Sequence, residues 1–171
     1  DGPGDSASPV PPKTVYSLAN DYSGVQGANQ WSYLYRTGAV DLPMNWGTGA
    51  DGGGLNMWRG NEEYLFLDKG GIHPGAAADA VYKWTAPRSG RVRITGTVVD
   101  VNGSCGDGII ASILHNAALV VQYTIANGDS TGRTHDLVEQ VANGDGIYFS
   151  VNRNGDNYCD STSWSPTIEY I

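Results

Sequence analysis

Glycine occupies 24 of the 171 positions, about twice the usual ~7 per cent, and nothing else in the sequence restricts the fold as strongly. Each glycine inside a helix costs about 0.8–1.0 kcal/mol relative to alanine, so long helices are excluded and a turn-rich chain is expected. Between the glycines the apolar residues recur with period two rather than 3.6. Trp31-Ser-Tyr-Leu-Tyr-Arg alternates, Tyr64-Leu-Phe-Leu is a short apolar run, and Ala80-Val-Tyr-Lys-Trp-Thr stops at Ala86-Pro87. Further runs start at Arg91, Gly108, Leu119, Thr134, Gly146 and Thr167, separated by turn dipeptides such as Asn116-Ala, Asn127-Gly and Asn143-Gly. Nine to eleven short strands with no helical interval predict an all-β, antiparallel β-sandwich of jelly-roll-like or related Greek-key topology. Residues 38–60, with Gly52-Gly-Gly, read as the longest irregular loop, and there is no internal repeat.

A chain of this length fits one domain. Residues 1–13 are Gly, Pro, Ser and Asp rich without apolar periodicity, and read as a linker remnant ahead of a single domain, 14–171. With no positively charged, apolar leader at the start, the chain is expected to be a module cut from something longer, monomeric by itself. A net charge of -8 argues against nucleic acid, whose phosphates need cations to displace counterions. The longest apolar run, 117–126, is interrupted by Gln122 and falls short of the ~18 residues of a membrane span, so no membrane partner is expected. Of 17 aromatic residues, 15 are Tyr or Trp, which suits half-wet recognition surfaces better than a core alone. Cys105 and Cys159 sit in loops rich in Gly, Asp, Asn and Ser. They are expected to form a disulfide, worth about 4 kcal/mol for so long a loop in the chain-entropy model, and to place the protein outside the cell.

The strings Asp79-Ala-Val-Tyr-Lys-Trp-Thr-Ala-Pro, Gly90-Arg-Val-Arg-Ile-Thr-Gly-Thr-Val-Val-Asp and Gly106-Asp-Gly-Ile carry a resemblance. With Gly144-Asp-Gly-Ile-Tyr-Phe-Ser-Val-Asn and Thr162-Ser-Trp-Ser-Pro-Thr-Ile, they are similar to β-sandwich carbohydrate-binding-like modules appended to secreted bacterial glycoside hydrolases and polysaccharide lyases. The resemblance spans most of residues 26–170 and rests mainly on turn and core positions. It implies the sandwich fold, a polysaccharide partner and a covalently linked catalytic domain, and it leaves the sugar open. The two cysteines depart from that pattern, which has glycine or a small polar residue in those loops.

Sugars offer flat C–H faces and a rim of hydroxyls, matched by Trp or Tyr planes and by Asn, Asp, Gln or Arg. Two segments provide that mixture. Trp46 and Trp58 flank the glycine-rich stretch, with Arg59 and Asn61 next to Trp58, and Asn157, Tyr158 and Asp160 lie in the second cysteine's loop. Trp164 reads as the anchor of a core strand, and Trp31, Tyr33 and Tyr35, on one strand face, read as buried packing. Calcium is a candidate ligand at Asp100, Asn102 and Asp107, with Asp156 and Asp160 brought near by the disulfide, although no EF-hand-type loop is present. His73, His115 and His135 lack zinc spacing.

No nucleophile elbow, phosphate loop or convincing carboxylate pair is present. The expected function is therefore a non-catalytic carbohydrate-binding module that holds a secreted enzyme on its polymer. The alternatives are a small jelly-roll polysaccharide lyase or glycoside hydrolase, with His135 and a tyrosine as acid and base, and a structural spacer.

Overall fold

The structure, a computed structural model, describes residues 10–49 and 51–171, and the side chains of all these except 51 and 52. Of the expected linker, residues 1–9 lie outside the described residues, while 10–14 are exposed and carry no regular element.

In chain order the strands are β1 (Val15–Ser17), β2 (Trp31–Thr37), β3 (Val40–Pro43), β4 (Asn45–Gly47), β5 (Met57–Arg59), β6 (Phe66–Leu67), β7 (Gly71–His73) and β8 (Asp79–Thr85). There follow β9 (Gly90–Asp100), β10 (Ile109–His115), β11 (Ala118–Ile125), β12 (Arg133–Val141), β13 (Gly146–Asn152), β14 (Thr162–Trp164) and β15 (Thr167–Tyr170). One α-helical turn, Leu18–Asp21, follows β1.

The strands form two antiparallel sheets. One holds six strands in the order β11-β10-β13-β8-β2-β3. In the nine-stranded sheet, long β9 pairs with β12 along one edge and with β15 and β14 end to end along the other; β14 continues through β7, β6 and β5 to β4. From β8 to β13 the chain crosses between the sheets repeatedly, which is how Greek-key sandwiches are wound.

The strand count of fifteen exceeds expectation: residues 38–60, read as one irregular loop, contain β3, β4 and β5, and β1, β7 and β14 are further strands of only three residues. The sequence hides β3, β4 and β5 for physical reasons: β3 and β4 are edge strands with mostly exposed residues and so give no period-two apolar signal, and β5, though buried, is only three residues long.

The core lies between the sheets. Trp31, Tyr33, Tyr82, Trp84, Phe149 and Trp164 are fully buried, with Ile94, Val98, Ile113 and Ile168 between them. Aromatic edges meet faces, as where Phe149 and Trp164 cross at 5.3 Å and 87°. Trp31 and Tyr33 are core residues as expected, and Tyr35, two positions on, is half-buried against them. Cys105 and Cys159, 54 residues apart, are bridged with Cα atoms 5.4 Å from each other.

Candidate functional site

The disulfide ties two polar loops at one end of the sandwich, 101–108 between β9 and β10 and 153–161 between β13 and β14. Their Asn and Asp side chains fold the loops by accepting backbone N–H groups, the local chemistry that makes these residues turn formers. Asn102 Oδ1 accepts from the Ser104 N–H and hydroxyl, and Asp156 Oδ1 accepts from Tyr158 N–H at 2.9 Å. Asp107 reaches across to Gly155 N–H at 2.9 Å, and Val101 N–H donates to Ser161 O at 2.8 Å. Gly106 has φ +93°, and a Cβ there would collide with the Tyr158 carbonyl, so this close approach of the loops requires glycine.

Against these loops lies a cavity of 480 Å³. One wall is Tyr64, Phe66 and His73 from the β6–β7 hairpin and its approach; the other is Asn102, Asn157, Tyr158, Cys159 and Ser161. Leu65 and Leu67 point into the core, so the alternating Tyr64 and Phe66 face outward. His73 is buried between them, with ring centroids 5.9 Å from Tyr64 and 5.5 Å from Phe66. Its Nδ1 lies 2.8 Å from Pro74 O, which makes that nitrogen a donor. Tyr64 holds φ +63°, a left-handed conformation that costs a non-glycine residue of order 1 kcal/mol. Tyr64 is 48% exposed and Tyr158 70% exposed. The cavity thus combines two accessible phenol rings, a phenyl ring, two amides and a hydroxyl.

Only Asn157 and Tyr158 of the expected binding residues line this cavity. Trp58 does not: it is 3% exposed, stacks on Tyr33 at 4.8 Å and 8°, and donates its indole N–H to Ser23 O at 2.9 Å. It is a core plug, buried by residues distant in sequence. Arg59 is likewise structural, donating to Gly47 O at 3.1 Å and Leu55 O at 3.2 Å. Asn61 is exposed but outside the cavity. Trp46, the cross-strand partner of Trp58, is 42% exposed and packs against Tyr22 and Trp58, also outside the cavity.

Asp160 is corrected too. It is 1% exposed, behind the cavity wall, and neither carboxylate oxygen has a hydrogen-bond partner among the described residues. Burial, then the charges of Asp107, Asp100 and Asp156, push its carboxyl up to about 8, with Arg153 pulling the other way. Asp100 is equally buried; its Oδ1 accepts from Asn102 N–H at 3.0 Å and its Oδ2 has no partner. Of the expected calcium ligands, Asn102 and Asp107 serve as turn acceptors. Among the described residues no three His, Cys, Asp or Glu side chains converge as a metal cage.

His135 fails as an acid or base that touches a polymer. It is buried on β12, accepts the Trp164 indole N–H at Nε2 (3.0 Å) and places Nδ1 3.3 Å from Ile94 O. Burial holds its pKa below the ordinary value, against the Ile94 carbonyl and the Asp136 charge. The Glu62 carboxylate is occupied by the Ala77 and Ala78 N–H groups.

Tyr64, Phe66, His73 and Ser161 were not singled out by sequence reasoning. The signal for the first two was present in Tyr64-Leu-Phe-Leu, where one alternate pair must face outward if the other is core.

No family model matches the chain, and no curated protein matches it. Similar solved structures include a family 35 carbohydrate-binding module from Clostridium thermocellum, 14% identical, TM-score 0.41, covering 96% of this chain and 100% of that one. CBM51 from a Clostridium perfringens GH95, in complex with methyl-galactose, is 15% identical with TM-score 0.42, covering 90% and 99%. Pika GITRL is 11% identical with TM-score 0.38, covering 82% and 96%.

Proposed function

We propose that this protein is a non-catalytic carbohydrate-binding module whose sugar site is the cavity between Tyr64, Phe66 and His73 on one side and Asn157 and Tyr158 on the other. One observation carries the reading: accessible aromatic planes and amide and hydroxyl groups border a single 480 Å³ cavity. That volume falls within the ~300–1,000 Å³ of small-ligand sites. Tyr64 and Tyr158 supply stacking planes for C–H faces, and Asn102, Asn157 and Ser161 supply directional donors and acceptors. Recognition rather than turnover is the reading supported by the fact that the carboxylate and imidazole the sequence offered for catalysis, Glu62 and His135, lie outside this cavity and are committed to the fold.

The net charge of -8 favours a neutral polysaccharide, since an acidic polymer would be repelled. The disulfide supports a secreted setting. There the module, 14–171 behind a linker, would hold a covalently attached catalytic domain on its polymer and raise the effective substrate concentration. Affinity electrophoresis across a panel of neutral and acidic polysaccharides, with product analysis, tests this reading. The expected result is retardation by at least one neutral polymer, with no new reducing ends and no unsaturated uronate. Chain shortening that survives purification would contradict it, as would the absence of retardation by any polymer.

A further inference from the structure

A second cavity, of 230 Å³, lies between the segment joining β7 to β8, Gly75 to Asp79, and the end of β13, Asn152 to Asn154. The same two stretches of chain also wall the first cavity, which takes His73 from one and Asn157 from the other. The two cavities are therefore neighbours along one seam. The space comes from the sequence Gly75-Ala-Ala-Ala, which puts nothing longer than a methyl group on its wall. That wall is also held fast: Gly75 N–H donates to Ala78 O at 2.9 Å, and the Glu62 carboxylate accepts from the Ala77 and Ala78 N–H groups.

On the opposite wall the two amides are committed to the fold. Asn152 Nδ2 donates to Asp79 Oδ1 at 2.7 Å and its Oδ1 accepts from Asn154 N–H at 2.9 Å, while Asn154 Nδ2 donates to Asp107 O at 3.3 Å. Arg153, between them, is half-buried and has no hydrogen bond or ion pair among the described residues. Its guanidinium is a planar fork of N–H donors that accepts nothing. Asp79 is the complement. Each of its oxygens takes one side-chain bond, from Asn152 and from Ser150 Oγ at 3.3 Å, and has a lone pair left. A sugar hydroxyl both donates and accepts, so it suits a cavity with donors on one side and a carboxylate on the other. An anionic sugar does not, because Asp79 lines the cavity and Asp107 accepts from the backbone next to Asn154.

We propose that this second cavity is a sugar subsite, in which Arg153 and Asp79 hold the hydroxyls of an uncharged residue while another residue of the same polysaccharide lies in the first cavity. The inference rests on the carbohydrate reading of the first cavity and adds to it the length of polymer gripped and the polar pair that reads it. No aromatic ring lines the second cavity among the described residues, so it contributes directional bonds rather than stacking. A site of that kind rejects sugars whose hydroxyls are missing or misplaced.

The test titrates the intact protein calorimetrically with ladders of cello-, manno- and galacto-oligosaccharides, from the monosaccharide upward, alongside the parent polysaccharides. For the ladder that binds, wild-type affinity should rise with length until both cavities are filled and then level off. Arg153→Ala should bind the shortest ligand as the wild type does, and bind the longer ones about tenfold more weakly, the scale of a hydrogen bond to a charged group. Tyr158→Ala, by contrast, should weaken every length alike. Arg153→Lys keeps the charge near Asp160 but not the fork; it should show the same loss, and it gives the reading if the alanine variant does not fold. A folded Arg153 variant whose affinity climbs with length as in the wild type overturns the subsite and leaves the reading of the first cavity standing. So does a wild type whose affinity is independent of length. A wild type that binds neither the ladders nor the polymers overturns both.

Discussion

At Trp58 the indole lies flat on Tyr33 while its N–H reaches Ser23 O, 35 residues back along the chain. Trp58→Ala should therefore cost about 3–5 kcal/mol, as large aromatic deletions in a core do. Urea unfolding measures it, and a variant with the native midpoint would show that the stack contributes nothing. The sequence could not reveal this, because Arg59 and Asn61 make the segment look like a polar ligand loop. What buries Trp58 comes from β2 and from the turn before it. Trp31, Tyr33 and Trp164 were legible as core, since a strand pattern of their own surrounds each. Tyr158 was legible as a surface aromatic because its own loop is polar throughout. Tyr64 and Phe66 were legible as an outward pair in Tyr64-Leu-Phe-Leu but not as a cavity wall, since a cavity requires a second wall that the sequence places some ninety residues away.

Strands β9, β10 and β12 were legible because each buries one face and so alternates, and β8, β11 and β13 because they are apolar runs bounded by turns. The short strands β3 and β4 were not, for want of a buried face, and β5, though buried, is too short at three residues to show a period. Two predictions belong to the connections between strands. Reducing the disulfide, or replacing both cysteines with serine, releases the two loops that form one cavity wall. Stability should fall by up to roughly 4 kcal/mol in the chain-entropy model, read from melting with and without reductant; an unchanged melting temperature would contradict it.

The second connection is the turn at Asp145. Its carboxylate accepts from Ala142 N–H at 2.8 Å and Asn116 Nδ2 at 3.0 Å, and meets His115 Nε2 at 2.9 Å, joining the β12–β13 turn to the β10–β11 turn. Those bonds, led by Ala142 N–H, hold its carboxyl at about 2, below the ordinary 3.8. A depressed carboxyl contributes stability that is present above pH 3.8 and is lost as pH falls through about 2. Asp145→Asn should therefore flatten the acid limb of the stability curve between those values, and, because Asp145 also helps raise the His115 pKa, it should weaken the stability that charged His115 contributes below neutrality, as followed by denaturant unfolding at each pH.

Over the whole molecule, two sheets enclose an aromatic core and leave the proposed sugar site to loops at one end, where a disulfide ties two of them together. Two exposed aromatics then offer rival locations for the site: Tyr158 in the cavity wall and Trp46 on the outer strand β4, outside it. Both side chains are accessible enough for removal to leave the fold intact. The most direct measurement is the affinity of Tyr158→Ala and Trp46→Ala for the polysaccharide that the wild type binds best, with melting temperatures recorded alongside. Tyr158→Ala should lose at least ~1 kcal/mol of binding, the scale of a stacking anchor, with native melting, while Trp46→Ala binds as the wild type does. Undiminished binding by Tyr158→Ala together with loss in Trp46→Ala would contradict the cavity as the sugar site.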